Sequence, residues 1–205
     1  MGTVLSTEKG ERAVELARDS VRSYVADGKR ERPGCMKDVF YERVGAAVRL
    51  DSTRGRRRVR GSGVSYKRDK HLSQAIVDAS IEASESCEGT SEVSGCELGS
   101  VSVTLCVLSS VEEVGEDAAE RCEIGRHGAI VESGRDTGWM LPTVPVERGW
   151  SATELLDRTC RKSGIDHGCW RDDASESTVY LFEGQVFREQ DPDGRVKEVE
   201  LLASV

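Results

Sequence analysis

The chain has 205 residues, a formal net charge of −8, 37% hydrophobic and 32% charged residues, enough to bury a sizeable core as one large domain or as two small lobes sharing an interface. The first 25 residues hold no charged n-region followed by an apolar h-region, and no apolar run approaches the roughly 18–20 residues of a membrane span, which predicts a soluble cytoplasmic protein without a membrane partner. Charge is segregated: Arg54, Arg56, Arg57, Arg58, Arg60, Lys67, Arg68 and Lys70 against Asp69 make segment 54–70 a +7 island, leaving −15 on the rest.

In chain order, Val14, Ala17, Val21, Tyr24 and Val25 recur at helical spacing between Glu8 and Ala26, with Glu8 and Glu11 in the first turn and Gly28 beyond the end. Val39 to Leu50 reads as extended, and Val59 to Tyr66 as its hairpin partner, which makes 51–58 an exposed connection. Leu72, Ile76, Ala79 and Ala83 mark a second helix, ending in the polar stretch 84–95. The clearest strand follows: Val101, Val103, Leu105 and Val107 share one face, and Ser102, Thr104, Cys106 and Leu108 the other, a pattern that suits a sheet covered by a helix on its apolar side. A further helix carries its own punctuation in the Ser151/Glu154 capping box, the Trp150/Leu155 staple positions and the Gly164-Ile165 stop. STVYLFEGQVFRE (177–189) alternates through Glu183-Gly184 into a terminal hairpin, and 190–205 is a polar, frayed tail. Helices and strands without a βαβ rhythm predict an α+β fold with a mixed or antiparallel sheet and packed helices.

Seven cysteines without an export signal predict free thiols, mostly small buried hydrophobes. Cys122/His127 and His167/Cys169, with Cys160 upstream, have loose metal-ligand spacings, but no C-x-x-C occurs, so no metal and no cofactor is expected. The basic island contains Gly61-Ser62-Gly63, yet neither a P-loop nor a G-x-G-x-x-G fingerprint fits its spacing. Its arginines with Tyr66 suit a short nucleic acid, which the anionic remainder would repel beyond a few nucleotides; the alternative is an exposed basic hairpin balanced by nearby carboxylates. Ser62 could act as a nucleophile if His127, in the Gly125-Arg126-His127-Gly128 bend, served as its base, although G-x-S-x-G is absent.

Four segments, IGRHGAIVESG (124–134), GWMLPTVPVERGW (138–150), LLDRTCRKSGI (155–165) and STVYLFEGQVFRE (177–189), resemble the AMMECR-domain family, most of all its archaeal members. The resemblance covers almost the whole chain as one domain, 1–205, and implies two unequal lobes flanking a cleft. The family's Leu-Arg-Gly-Cys-Ile-Gly signature corresponds here to Val59-Arg60-Gly61-Ser62-Gly63-Val64, so the signature cysteine is replaced by Ser62, a poorer unassisted nucleophile. It also implies a modification pathway shared with Memo-like and radical-SAM proteins. The basic island inside an acidic chain gives a first expectation: an accessory protein with an anionic or phosphate-bearing small molecule held in the cleft by Arg60 and Arg126, the Gly61 and Gly63 backbone close by. Against it stands a purely structural pairing of both arginines with carboxylates. The other expectations are a hydrolase or transferase using Ser62 with His127, and an interaction module presenting Trp139, Met140 and Trp150.

Overall fold

The structure, a computed structural model, describes residues 5–34, 36, 38–55, 58–85, 92–165, 168–171 and 177–201. The chain divides into two compact units, one of residues 1–109 and 184–199 and the other of 110–183 and 200–205.

Unit 1 contains α1 (Thr7–Asp27), β1 (Gly45–Ser52), β2 (Arg58–Ser65), α2 (Leu72–Glu85), most of β3 (Val101–Val114), the C-terminal part of β6 (Ser177–Glu189) and β7 (Val196–Val199). α1 starts where the Ser6 hydroxyl accepts from the Lys9 N–H and stops at Gly28, whose φ of 64° closes the helix in a left-handed cap. Strand alternation then sorts the residues. Val48, Leu50, Val101, Val103, Leu105 and Val107 bury against Val14, Ala17 and Val21 of α1 and Ile76 and Ala79 of α2. In the same layer Arg18 and Glu189 form a buried ion pair, completed by Arg18 Nη2 donating to the Val101 carbonyl at 2.7 Å and the Val103 N–H donating to Glu189 Oε2 at 2.8 Å.

Unit 2 contains α3 (Ala118–Arg121), β4 (Gly128–Ser133), β5 (Asp136–Met140), α4 (Thr143–Arg148), α5 (Ala152–Lys162) and the N-terminal part of β6. Leu155, Leu156 and Cys160 of α5 cover Ala129, Val131, Val179 and Leu181. The capping box forms as expected: Glu154 N–H donates to Ser151 Oγ at 3.3 Å, and Ser151 N–H donates to Glu154 Oε2 at 2.9 Å. The strands form a seven-stranded antiparallel sheet in the order β2-β1-β3-β6-β4-β5, with β7 paired to β6, so the expected α+β class holds.

Several sequence expectations need correction. Val39 and Phe40 sit in a 3-10 turn, Asp38–Tyr41, that pushes both into the core, so β1 begins only at Gly45. Pairing of β1 with β2 runs out to Ser52 opposite Arg58, which shortens the connection to 53–57. Glu183-Gly184 is not a turn: β6 passes straight through it, and a Cβ at Gly184 would stand 2.5 Å from the Val107 carbonyl, so the glycine admits close strand packing. The terminal hairpin instead joins β6 to β7 through a turn with Asp193 at φ 60°, and Val196–Val199 is paired, not frayed. Finally, Cys160 and Cys169 form a disulfide, so free thiols hold for Cys96, Cys106 and Cys122 but not for these two.

Candidate functional site

The face of unit 1's sheet turned away from the helices is buried, and beside apolar Ala47, Cys106 and Leu108 it carries a row of polar side chains. Ser62 of β2 stands opposite Arg49 of β1, and Arg49 opposite Thr104 of β3, which makes one row of side chains across three strands. Arg188 of β6 extends the row, its Nε donating to Thr104 Oγ1 at 3.3 Å. Asp51 lies two residues along the same face. Its Oδ2 accepts from Arg49 Nε at 3.2 Å and faces Arg49 Nη2 at 3.1 Å, with Thr104 Oγ1 at 3.5 Å. Thr104 is wholly buried, Asp51, Ser62 and Arg49 nearly so, and Arg188 half-buried. Two guanidiniums, one carboxylate and two hydroxyls thus lie together, all of them buried except the half-buried Arg188. That combination suits an anion, because fixed donors in a low-dielectric setting interact more strongly than the same donors in water.

The residues singled out from sequence lie in two places. Arg60 binds Glu97 with both arms of its guanidinium, Nε to Oε1 at 2.6 Å and Nη2 to Oε2 at 2.9 Å, and Nη2 also donates to the Glu92 carbonyl at 2.9 Å. Glu97 is pulled down to about 2, first by Arg60 and then by the Ser94 N–H and hydroxyl, against the upward push of burial. Gly61 pairs with Leu50 of the helix-side core, and a Cβ at Gly63 would lie 2.3 Å from the Ala79 carbonyl, so these glycines face α2. Ser62, between them, points the opposite way, into the polar row. In unit 2, Arg126 spans Glu123 at 2.9 Å and Glu183 at 3.1 Å. His127 Nδ1 accepts from the Glu123 N–H at 3.0 Å, and its Nε2 faces Glu183 Oε1 at 3.8 Å. Burial lowers the His127 pKa and keeps the ring neutral near pH 7. With Nδ1 accepting, Nε2 carries the proton, and the ring offers no lone pair to a serine. Structure thus joins Arg126 with His127, and Ser62 with Arg49, while Arg60 and Arg126 both bind carboxylates. Trp139 is buried, and Trp150 is half-buried with Arg158 4.3 Å from its ring centre, so the tryptophans form no exposed patch.

Arg49, Asp51, Thr104 and Arg188 are not among the residues that sequence motifs single out. Their signal is present in GAAVRLDS, where Arg49 and Asp51 alternate with Val48 and Leu50, but Asp51 reads as part of the connection. A hollow of about 740 Å³ also lies in unit 1, lined by Lys29, Arg30, Glu31, Arg32, Pro33 and Val77 among others. It shares no residue with the polar row. Lys29, Arg30 and Arg32 are exposed to solvent and the acidic Glu31 lines it too, whereas Arg49 of the row is buried, so the polar row is the stronger candidate.

Fold and site together define an α+β protein whose sheet carries apolar residues toward its helices in unit 1 and a buried polar row on the reverse. The AMMECR1 family model matches residues 14–187, and the chain belongs to that family. A protein of Halobacterium salinarum is 46% identical over 204 residues, covering 96% of both chains. One from Methanococcoides burtonii is 34% identical, covering 95% of this chain and 96% of its own. The crystal structure of an uncharacterised protein from Pyrococcus horikoshii superimposes with a TM-score of 0.82 at 30% identity, covering 96% of this chain and 99% of that one. Among the described residues no helix is long and apolar enough to cross a membrane.

Proposed function

We propose that this protein binds a small anion, a carboxylate or phosphate group, on the polar face of unit 1's sheet. Arg188 and Arg49 are the charge-assisted donors, and the Ser62 and Thr104 hydroxyls complete the contact. One observation carries this reading: β2, β1, β3 and β6 each contribute a polar side chain to one row, buried at Ser62, Arg49 and Thr104 and half-buried at Arg188. Burying guanidinium and carboxylate groups costs desolvation that apolar residues would avoid, and the helix side of these strands is apolar apart from the satisfied Arg18–Glu189 pair. Recognition of an anion by donors converging from four strands gives the row a use for that cost.

The alternative cation set, Arg60 and Arg126 with the Gly61 and Gly63 backbone, requires a ligand to compete with three carboxylates, Glu97, Glu123 and Glu183, where the row sets Asp51 alone against Arg49. It is the weaker reading for that reason. Nucleophilic chemistry at Ser62 with His127 requires the ring to surrender its Nδ1 hydrogen bond first. The family resemblance supports an accessory role in a modification pathway with Memo-like and radical-SAM proteins, for which co-purification with a tagged Memo-like protein is the direct check.

Calorimetric titration with inorganic phosphate and with citrate tests the ligand class. Arg188→Gln and Arg49→Gln are each expected to weaken binding roughly ten- to hundred-fold, the range of a lost charge-assisted hydrogen bond. Arg60→Gln and Arg126→Gln are expected to leave it within about two-fold, since neither is a member of the row. Unchanged affinity in Arg188→Gln, or a large loss in Arg126→Gln, would overturn the assignment.

A further inference from the structure

We infer that the Cys160–Cys169 disulfide of unit 2 is a thiol–disulfide exchange site, at which a reducing thiol decides whether the 3-10 turn Cys169–Arg171 stays fastened to α5. Cys160 lies on the last turns of α5, fully buried in a cluster with Leu156, Cys122 and Trp170. Cys169, nine residues on, is half-buried and opens the 3-10 turn. This asymmetry sets the chemistry: Cys160 has no exposed surface and Cys169 has some, so an incoming thiolate is expected to attack the Cys169 sulfur.

In the first step the reductant sulfur bonds to Cys169 Sγ. The Cys160–Cys169 bond breaks, and Cys160 leaves with the electron pair and takes up a proton. A second reductant thiol then displaces Cys169. The products are two protein thiols and one oxidised reductant, a low-molecular-weight thiol or a dithiol. Apolar surroundings favour the protonated product: Cys122 in the same cluster has its thiol raised to about 11, chiefly by burial. Reduced Cys160 stays enclosed in that cluster, and Cys169, the half-buried partner, is the nucleophile that restores the bond when a small disulfide is supplied.

The polar contacts of the turn, among the described residues, are mostly local. Arg171 N–H donates to the Gly168 carbonyl at 2.9 Å, and Arg171 stacks 4.1 Å from the centre of the Trp170 ring. Ser177 Oγ donates to the Cys169 carbonyl at 3.5 Å, a long bond. Toward α5 itself, Trp170 Nε1 donates to Asp157 Oδ1 at 2.8 Å. The Cys160–Cys169 link is thus the covalent tether to α5, and Trp170 sits beside it as a built-in reporter.

The test takes the full chain purified without reductant through graded dithiothreitol, with alkylation and mass mapping, tryptophan emission and hydrogen exchange at each point. The inference predicts that Cys160 and Cys169 are protected at first and become alkylated together while buried Cys106 stays unreacted. Emission and exchange of residues 168–171 should change at the same midpoint and revert with oxidised glutathione. Trp170→Phe should lose the emission change, and Cys122→Ser should titrate like the parent. Cysteines that alkylate freely and are not linked by oxidised glutathione would overturn it, as would reduction that occurs only when Cys106 becomes reactive. Reduction without any change at 168–171 would also refute it. The parent protein supplies every decisive reading, so the outcome stands even where a variant fails to fold.

Discussion

Arg60 and Glu97 show how a cation that looks like a ligand contact can serve as a clamp. Both guanidinium arms close on one carboxylate, which also accepts from the Ser94 N–H at 3.0 Å, tying β2 to the 3-10 segment Gly95–Ser100. The Glu97 pKa drops from its ordinary 4.5 to about 2. A carboxylate depressed in the folded state contributes stability in full above its unfolded pKa and loses it as pH falls through the folded one. Glu97→Gln should therefore unfold at lower urea than the parent at pH 6, and the gap should close as pH falls from about 4.5 toward 2; a gap that widens on acidification would refute the clamp. The charges of Arg60 and Arg126 were legible in the sequence. Their partners were not, because Glu97 lies 37 residues from Arg60 and Glu183 lies 57 residues from Arg126, and local spacing carries no trace of such pairings.

Among the elements, those with local punctuation were legible and those decided by tertiary approach were not. The α5 capping box and the Gly28 stop of α1 are written within a few residues each. Glu183-Gly184 has the look of a hairpin turn, yet the strand runs on because Gly184 packs against β3, a fact stored in Val107 and not in the dipeptide. Gly63 is the same kind of residue, and it yields a prediction. A Cβ there would lie 2.3 Å from the Ala79 carbonyl and 2.7 Å from the Ala83 nitrogen, both helix backbone. Gly63→Ala should cost about 1–3 kcal/mol or more, the range for overpacking a rigid contact. Gly99→Ala, where a Cβ would meet nothing within 4 Å, should stay near the parent. Urea denaturation of the two variants side by side checks this, and equal stabilities would contradict the close approach of α2 to β2.

Over the whole molecule, composition and alternation sufficed for the α+β class, and the family followed from segments spread along the chain. The polar row escaped because each strand supplies only one or two of its members, and no single stretch of sequence looks unusual. The net charge of −8 and pI near 5.1 act at this scale as well. Like charges on a compact chain repel, and salt screens them over about 10 Å at 0.1 M. The melting temperature should rise by a few degrees between low salt and about 0.5 M sodium chloride, in thermal scans of the same protein; a fall would mean that screening of ion pairs such as Arg126–Glu183 outweighs relief of the repulsion.

The anion-binding row is tested most directly by titrating isotope-labelled protein with inorganic phosphate and following backbone amide and arginine Nε resonances together. Signals of Ser62, Thr104, Arg49 and Arg188 should shift along one saturation curve, with Arg60 and Arg126 unmoved. Shifts confined to Arg60 and Arg126, or to Arg30 and Arg32 of the hollow, would contradict the account, as would a row that stays silent at saturating phosphate.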